Sequence, residues 1–197
     1  MPQDPTALIL AYFVTPLWLA MGLLDWFCHR ATQIETTTGA KESLIHLLMF
    51  LELGAPLLAV LFFVVNALVI AFMIAMFALH EATAIWDVSY AETARRVTPF
   101  EQHVHSFLEV LPLTALLLVV ARHWGQFLAL FGAGDEAPRF DLVWKGEDIS
   151  TVYVAAVIAG AAVFGLIPYL EELWRGLRAS GGALTPAREA QARDVRA

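Results

Sequence analysis

Between residues 43 and 79 the chain runs for about 37 residues with little that is polar; His46, Glu52 and Asn66 are the main interruptions. A helix needs only about 20 mostly apolar residues to cross the hydrocarbon of a bilayer. The run is therefore too long for one crossing and fits two, with a tight turn near Asn66. Inside lipid the backbone must satisfy its own hydrogen bonds, which a helix does within one segment. This one stretch commits the chain to membrane helices.

The other spans follow from the same test, at 6–29, 41–65, 67–94, 99–122 and 149–174. The fold expected is an all-α integral membrane protein with about five transmembrane helices. Residues 30–40 read as a polar loop, and the stretch from 123 to 148 as a second loop with Gly, Pro and several acids. Residues 1–178 form a single transmembrane helical domain, and 179–197 a polar, disordered tail. Composition agrees: 59% of residues are hydrophobic and 16% charged, against about 45–50% and 25% in soluble domains. Mean hydropathy is +0.65. The start, "MPQDPTALIL", lacks the basic region of a cleaved signal and leads straight into the first span.

Two classes of function drop out early. A net charge of −7 argues against nucleic acid. With Cys28 the only cysteine, an internal disulfide and a Cys-based zinc knuckle are excluded. Orientation comes from the basic residues. Arg30, Lys41, Arg95, Arg96, Arg175, Arg178, Arg188, Arg193 and Arg196 fall on one side, and Arg122, Arg139 and Lys145 on the other. The richer side is expected in the cytoplasm, with the N-terminus outside, in a cell inner (plasma) membrane.

The ionisable residues of the spans gather toward that side. Span 1 ends with Asp25 and His29, and span 2 opens with Glu42 and His46. Span 3 carries His80, Glu81 and Asp87, and span 4 opens with Glu101, His105 and Glu109. Residues four apart share a helix face, and Asp25/His29, Glu42/His46 and Glu101/His105/Glu109 keep that spacing. Ionisable groups within a membrane are expensive and point to function. A faint repeat reinforces the pattern. "ESLIHLLMFLELGAP" and "EQHVHSFLEVLP" both read Glu-x-x-x-His, then an aromatic, Leu-Glu and a proline. Spans 1–2 and 3–4 then read as related hairpins in a pseudo-two-fold four-helix bundle.

The order acid, acid-His, acid, acid-His is similar to that of the soluble di-iron and di-manganese carboxylate bundles. Two departures stand out: the pairs here are Glu-x-x-x-His rather than Glu-x-x-His, and the helices cross a membrane. The likeness concerns architecture alone. The candidate ligands are Asp25, His29, Glu42, His46, His80, Glu81, Asp87, Glu101, His105 and Glu109. Arg30, Lys41, Arg95 and Arg96 are expected at the rim, snorkelling to headgroups, so a divalent metal is the natural compensation for these acids. Carboxylate and imidazole without thiolate suit Fe, Mn or Zn.

Two iron ions are the cofactor expected. The function expected is oxidation of a lipophilic molecule such as a lipid, isoprenoid or quinone, with an electron-donor protein as partner. The alternatives are a zinc-dependent hydrolase, or a b-type haem electron-transfer subunit using pairs among His29, His46, His80 and His105. Transport is disfavoured, because the outer halves of the spans are Leu, Val, Ala and Phe. Simpler roles fall to the other polar and aromatic residues. His103 and His123 are interfacial, Glu101 also suits a helix start, and Trp26, Trp86 and Tyr90 suit the interface belt. Span 5 shows no comparable polar face. Gly160, Gly165 and Pro168 suggest that it packs on the bundle or joins two copies.

Overall fold

A computed structural model describes residues 4–146 and 150–186. Five helices in it are long and apolar enough to cross a bilayer, the pattern of a multi-pass membrane protein. They are α1 (Pro5–Ala31), α2 (Ala40–Phe62), α3 (Ala67–Ala91), α4 (Pro99–Arg122) and α6 (Thr151–Ala179); a short helix, α5 (Trp124–Leu130), lies between α4 and α6. Among the described residues there is no strand, only one isolated bridge between Phe63 and Trp144.

Local chemistry sets the ends. Asp4 caps α1 by accepting from the Thr6 amide at 2.9 Å, with Pro5 in the first turn. Asn66, expected in the turn, is the N-cap of α3 and accepts from the Val69 amide at 3.2 Å. Thr98 and Glu101 form a reciprocal capping box on α4, and Pro99 follows the cap. Such caps satisfy amides that a helix start leaves without partners. The Phe63–Asn66 turn finds its partners in the stretch expected to be loop. Val64 donates to the Val143 carbonyl at 2.8 Å, and Lys145 to the Phe62 carbonyl at 2.8 Å.

The helices pack as a ring in the order α1, α4, α3, α2, α6 and back to α1. This corrects the expectation for the fifth span. α6 is not laid on the outside of a four-helix bundle but inserted between α1 and α2, which share little contact of their own. Gly176 permits this approach: a Cβ there would lie 2.8 Å from the Ala40 nitrogen. Outward positions are apolar and bare, as at Ile85 and Val152, which are 71% and 79% exposed. The apolar core concentrates at the end away from the acids, where Val69, Ile70 and Met73 of α3 meet Leu116, Val119 and Val120 of α4.

Two spans are not regular throughout. α1 passes through a π-helical turn at Leu10–Val14, where the Thr15 hydroxyl donates to the Leu10 carbonyl at 2.9 Å. α6 has a second at Ala162–Leu166. π turns inside helices are rare and frequently mark functional sites. Of the expected tail, residues 180–186 turn back on the bundle, and the Leu184 carbonyl accepts from the Lys41 amide at 2.9 Å. The remainder of that expectation, 187–197, lies outside the described residues.

Candidate metal centre

Seven of the ten expected ligands meet at one end of the ring. Asp25, His29, Glu42, His46, Asp87, Glu101 and His105 come from α1, α2, α3 and α4, and all seven are buried. The i,i+4 spacing within each helix turns each pair inward, and ring closure then brings the pairs together. Two groups have ligand atoms within 4.8 Å of one another: Asp25, His29 and His105, and His29, Glu42 and His46.

The repeat anticipated from sequence appears as crossed pairing. His105 of α4 lies 3.0 Å from Asp25 of α1, and His46 of α2 lies 3.3 Å from Asp87 of α3. Each Glu-x-x-x-His helix thus meets an aspartate of the other hairpin. The Leu-Glu part of the repeat does not hold. Glu52 stands six residues after His46 and Glu109 four after His105, so they leave their helices at different angles. Glu52 is buried and accepts from the Thr83 hydroxyl at 2.8 Å.

The other three expected ligands stand apart from the centre. His80 is seven residues from Asp87 on α3, about 10 Å along the helix axis, and its Nδ1 is 3.8 Å from Glu52. Glu109 lines a small cavity, together with His80, beside the centre. Glu81 is half-buried on α3, with one carboxylate oxygen shielded and without a hydrogen-bond partner. His80 thus forms a deeper tier with Glu52 and Thr83, and Glu109 lies one turn beyond His105.

Two central residues were not anticipated. Arg95 does not snorkel to headgroups but reaches inward, its side chain 4% exposed. Its Nη2 is 2.5 Å from Glu42 and 2.6 Å from Glu101. Burial alone would lower its pKa, but the hydrogen bonds to Glu101 and Glu42 outweigh that and raise it above the usual arginine value. Glu42 also accepts from the Thr38 hydroxyl. The compensating cation thought to be missing is in part present, and Glu42 and Glu101 already have a protein partner.

The second is Glu172 of α6, fully buried. One of its oxygens lies 2.9 Å from His29 Nδ1 and the other 2.7 Å from His46 Nδ1. This one carboxylate aligns two imidazoles, which stack with centroids 4.3 Å apart and planes 11° from parallel. With Nδ1 of each ring directed at Glu172, the two Nε2 atoms face the acids. His29 Nε2 is 3.4 Å from Asp25 and 3.6 Å from Glu101, and His46 Nε2 is 4.0 Å from Glu42. Among the described residues neither Nε2 makes a hydrogen bond of good geometry, and His46 Nε2 stands 3.3 Å from Oδ1 of Asp87, which makes none either. Buried polar atoms are nearly always satisfied, so a His46–Asp87 pair in contact without a well-formed bond, and a His29 Nε2 set between two acids, call for an explanation.

The sequence did carry a signal for Glu172. Gly165, Tyr169, Glu172 and Gly176 fall at steps of four, three and four, so they share one face of α6. Tyr169 lies 5.8 Å from the His46 ring, and a Cβ at Gly165 would lie 2.5 Å from the Phe50 ring. An acid flanked by small residues marks a closely packed, polar face. Comparison with protein-family models, curated proteins and solved structures found no match to this chain.

Proposed function

We propose that the chain is a membrane oxidoreductase that holds two divalent ions, most simply iron, at the His29–His46 centre, and that it oxidises a lipophilic substrate. The observation that carries this reading is the pair of imidazoles oriented by Glu172, whose Nε2 atoms converge on Asp25, Glu101, Glu42 and Asp87 without a well-formed hydrogen bond. A carboxylate on the far nitrogen of each imidazole fixes its tautomer and orients its lone pair, as is usual around metal-binding histidines. Asp25, His29 and His105 would hold one ion. His46, Asp87 and Glu42 would take the second, and Glu172 would orient both stacked rings.

Charge supports the same conclusion. Asp25, Glu42, Asp87, Glu101 and Glu172 are the five buried carboxylates of the centre, Glu52 lying deeper, and among the described residues Arg95 is the guanidinium set between them. Four negative charges remain, which two divalent ions neutralise while the imidazoles stay neutral. The rival is a network of protonated histidines. It would stack two imidazolium rings, and like charges about 4 Å apart repel by about 4 kcal/mol at an effective dielectric of 20. Haem is disfavoured because the 4.3 Å stack leaves no space for a porphyrin between these rings.

Bound iron would supply dioxygen chemistry, with an electron-donor protein furnishing the reducing equivalents. The chain's own part is to orient the ligands, exclude water with the apolar ring, and offer Glu109 and His80 as proton-handling groups beside the centre. The cavity there, about 70 Å³ and also lined by Asp25, His46 and His105, has space for small molecules only. By the distribution of basic residues the metal end faces the cytoplasm. Metal analysis with an absorption spectrum tests the reading. About two iron per chain without a Soret band is expected. Zinc instead would favour hydrolysis, a Soret band would mean haem, and metal-free protein would sink the proposal.

A further inference from the structure

A second, larger cavity, about 470 Å³ and partly open, is lined by residues of all five spans, from Trp18 and Leu53 on the metal centre's side to Arg122 and His123 at the opposite end. Its wall is almost wholly apolar, with Leu57, Val60 and Leu116 at mid-length. Trp18 and Leu53 line this cavity and the small one beside the metal centre, so they form the partition between the two. Along α4 it extends from Leu111 to Arg122, eleven residues or about 16 Å of helix. That is about half the hydrocarbon thickness of a bilayer.

The far end is different in kind. Arg122, His123 and Lys145 line it, and among the described residues no acid does. Arg122 also pairs with Asp4, and Lys145 donates to the Val60 carbonyl at 3.0 Å. Burial, then the neighbouring Arg122 and Lys145, depress the His123 pKa below the usual imidazole value. The backbone makes room along the way. The π turn of α1 places Leu10, Ala11, Tyr12 and Val14 in the wall, and the in-helix prolines Pro56 and Pro112 interrupt α2 and α4 at the inner end. The second π turn sets Phe164 and Gly165 against the small cavity. Both irregular turns therefore serve the two cavities.

We infer that the long cavity binds a single-chain amphiphile with an anionic head, a fatty acid. Its carboxylate lies at the Arg122–His123–Lys145 end and its chain runs inward, so that the terminal carbons reach the Trp18–Leu53 partition. A mostly apolar cavity about 16 Å long with basic residues at one end matches an alkyl chain and one carboxylate. Taken with the proposed metal function, on which this last step rests, the substrate enters tail first, and reaction requires the Trp18–Leu53 partition to turn aside and admit carbons remote from its head. The balanced reaction at such a carbon is hydroxylation. Dioxygen and two electrons from a donor protein, with two protons, convert C–H to C–OH and release one water.

The test uses the full-length protein in phosphatidylcholine nanodiscs and a fatty acid carrying a photoreactive diazirine on its terminal carbon. Labelling is expected on Trp18, Leu53 and their neighbours. Label confined to lipid-facing residues such as Leu117, Ile85 and Val152 overturns the site. A trimethylammonium amphiphile with the same chain and diazirine should label at least about ten-fold less, because it sets like charges together at the mouth. Equal labelling overturns the anionic head. Ala115→Trp and, separately, Ala11→Trp should fill the cavity and abolish inner labelling while metal content stays unchanged. Metal content in the same samples separates the two proposals. Metal without inner labelling overturns the chain site; inner labelling without metal overturns the metal reading alone.

Discussion

Glu172 and Arg95 are the two residues on which the centre most depends. A carboxylate can accept from two imidazole N–H groups at once. A primary amide has one acceptor oxygen, so Glu172→Gln must turn its NH₂ toward one ring. That ring then offers Nδ1 as acceptor and its Nε2 becomes protonated, removing a lone pair from the centre. Loss of such an orienting partner typically costs about 10–100-fold in metal affinity. A chelator competition on the Glu172→Gln variant should show that loss while the helical circular dichroism is unchanged. Arg95 poses a different question. Arg95→Met removes the guanidinium and leaves Glu42 and Glu101 buried without it. Breaking a buried pair from one side costs about 3–5 kcal/mol. A clear fall in the thermal midpoint of the metal-free protein is expected, with Arg95→Lys losing less. An unchanged midpoint would mean that the two acids are already neutralised in some other way.

At the level of elements, the sequence was informative where a signal was local and silent where it depended on a neighbour. The fourth span, 99–122, coincides with α4 because Thr98, Pro99 and Glu101 mark its start chemically. Asn66 marked the break between α2 and α3 for the same reason. Arg95 was misplaced because an arginine in a short connection reads as interfacial; only the meeting of α2 and α4 shows two acids waiting for it. The role of α6 was hidden because its partners, His29 and His46, are more than 120 residues away. The glycines of that helix give the sharper test. At Gly176 an added methyl would lie 2.8 and 2.9 Å from backbone atoms of Ala40, which cannot rotate away. At Gly165 it would meet the Phe50 ring, which can. Overpacking typically costs about 1–3 kcal/mol. Gly176→Ala should lie at the upper end and, if the centre holds metal as proposed, weaken its retention, since Glu172 is one turn away; Gly165→Ala should cost less. Equal thermal midpoints for the two variants would contradict the close seating of α6 on α2.

For the molecule as a whole, the question is what holds the centre's five buried carboxylates together in an apolar ring. If metal does, the folded state is coupled to metal binding, and stabilisation follows the ratio of free metal to Kd. At a hundred-fold excess over Kd that is about 2.7 kcal/mol. For a chain of this size each kcal/mol moves the midpoint by roughly 2–4 °C. Stripping the metal should therefore lower the midpoint by about 5–11 °C, and iron or zinc should restore it. The pH dependence has opposite signs in the two accounts. Metal ligands must be deprotonated to bind, so a metal-held centre weakens as pH falls and its proton-coupled loss is relieved by added metal. A centre held by imidazolium–carboxylate pairs would weaken as pH rises, since stability falls with pH wherever the folded state holds the extra protons. Thermal midpoints measured from pH 5 to pH 8, with and without a chelator, decide between them. A midpoint indifferent to chelator and falling with rising pH would assign the cluster to protonated histidines, and the two Nε2 atoms would then be proton donors to Asp25 and Asp87 in place of metal ligands.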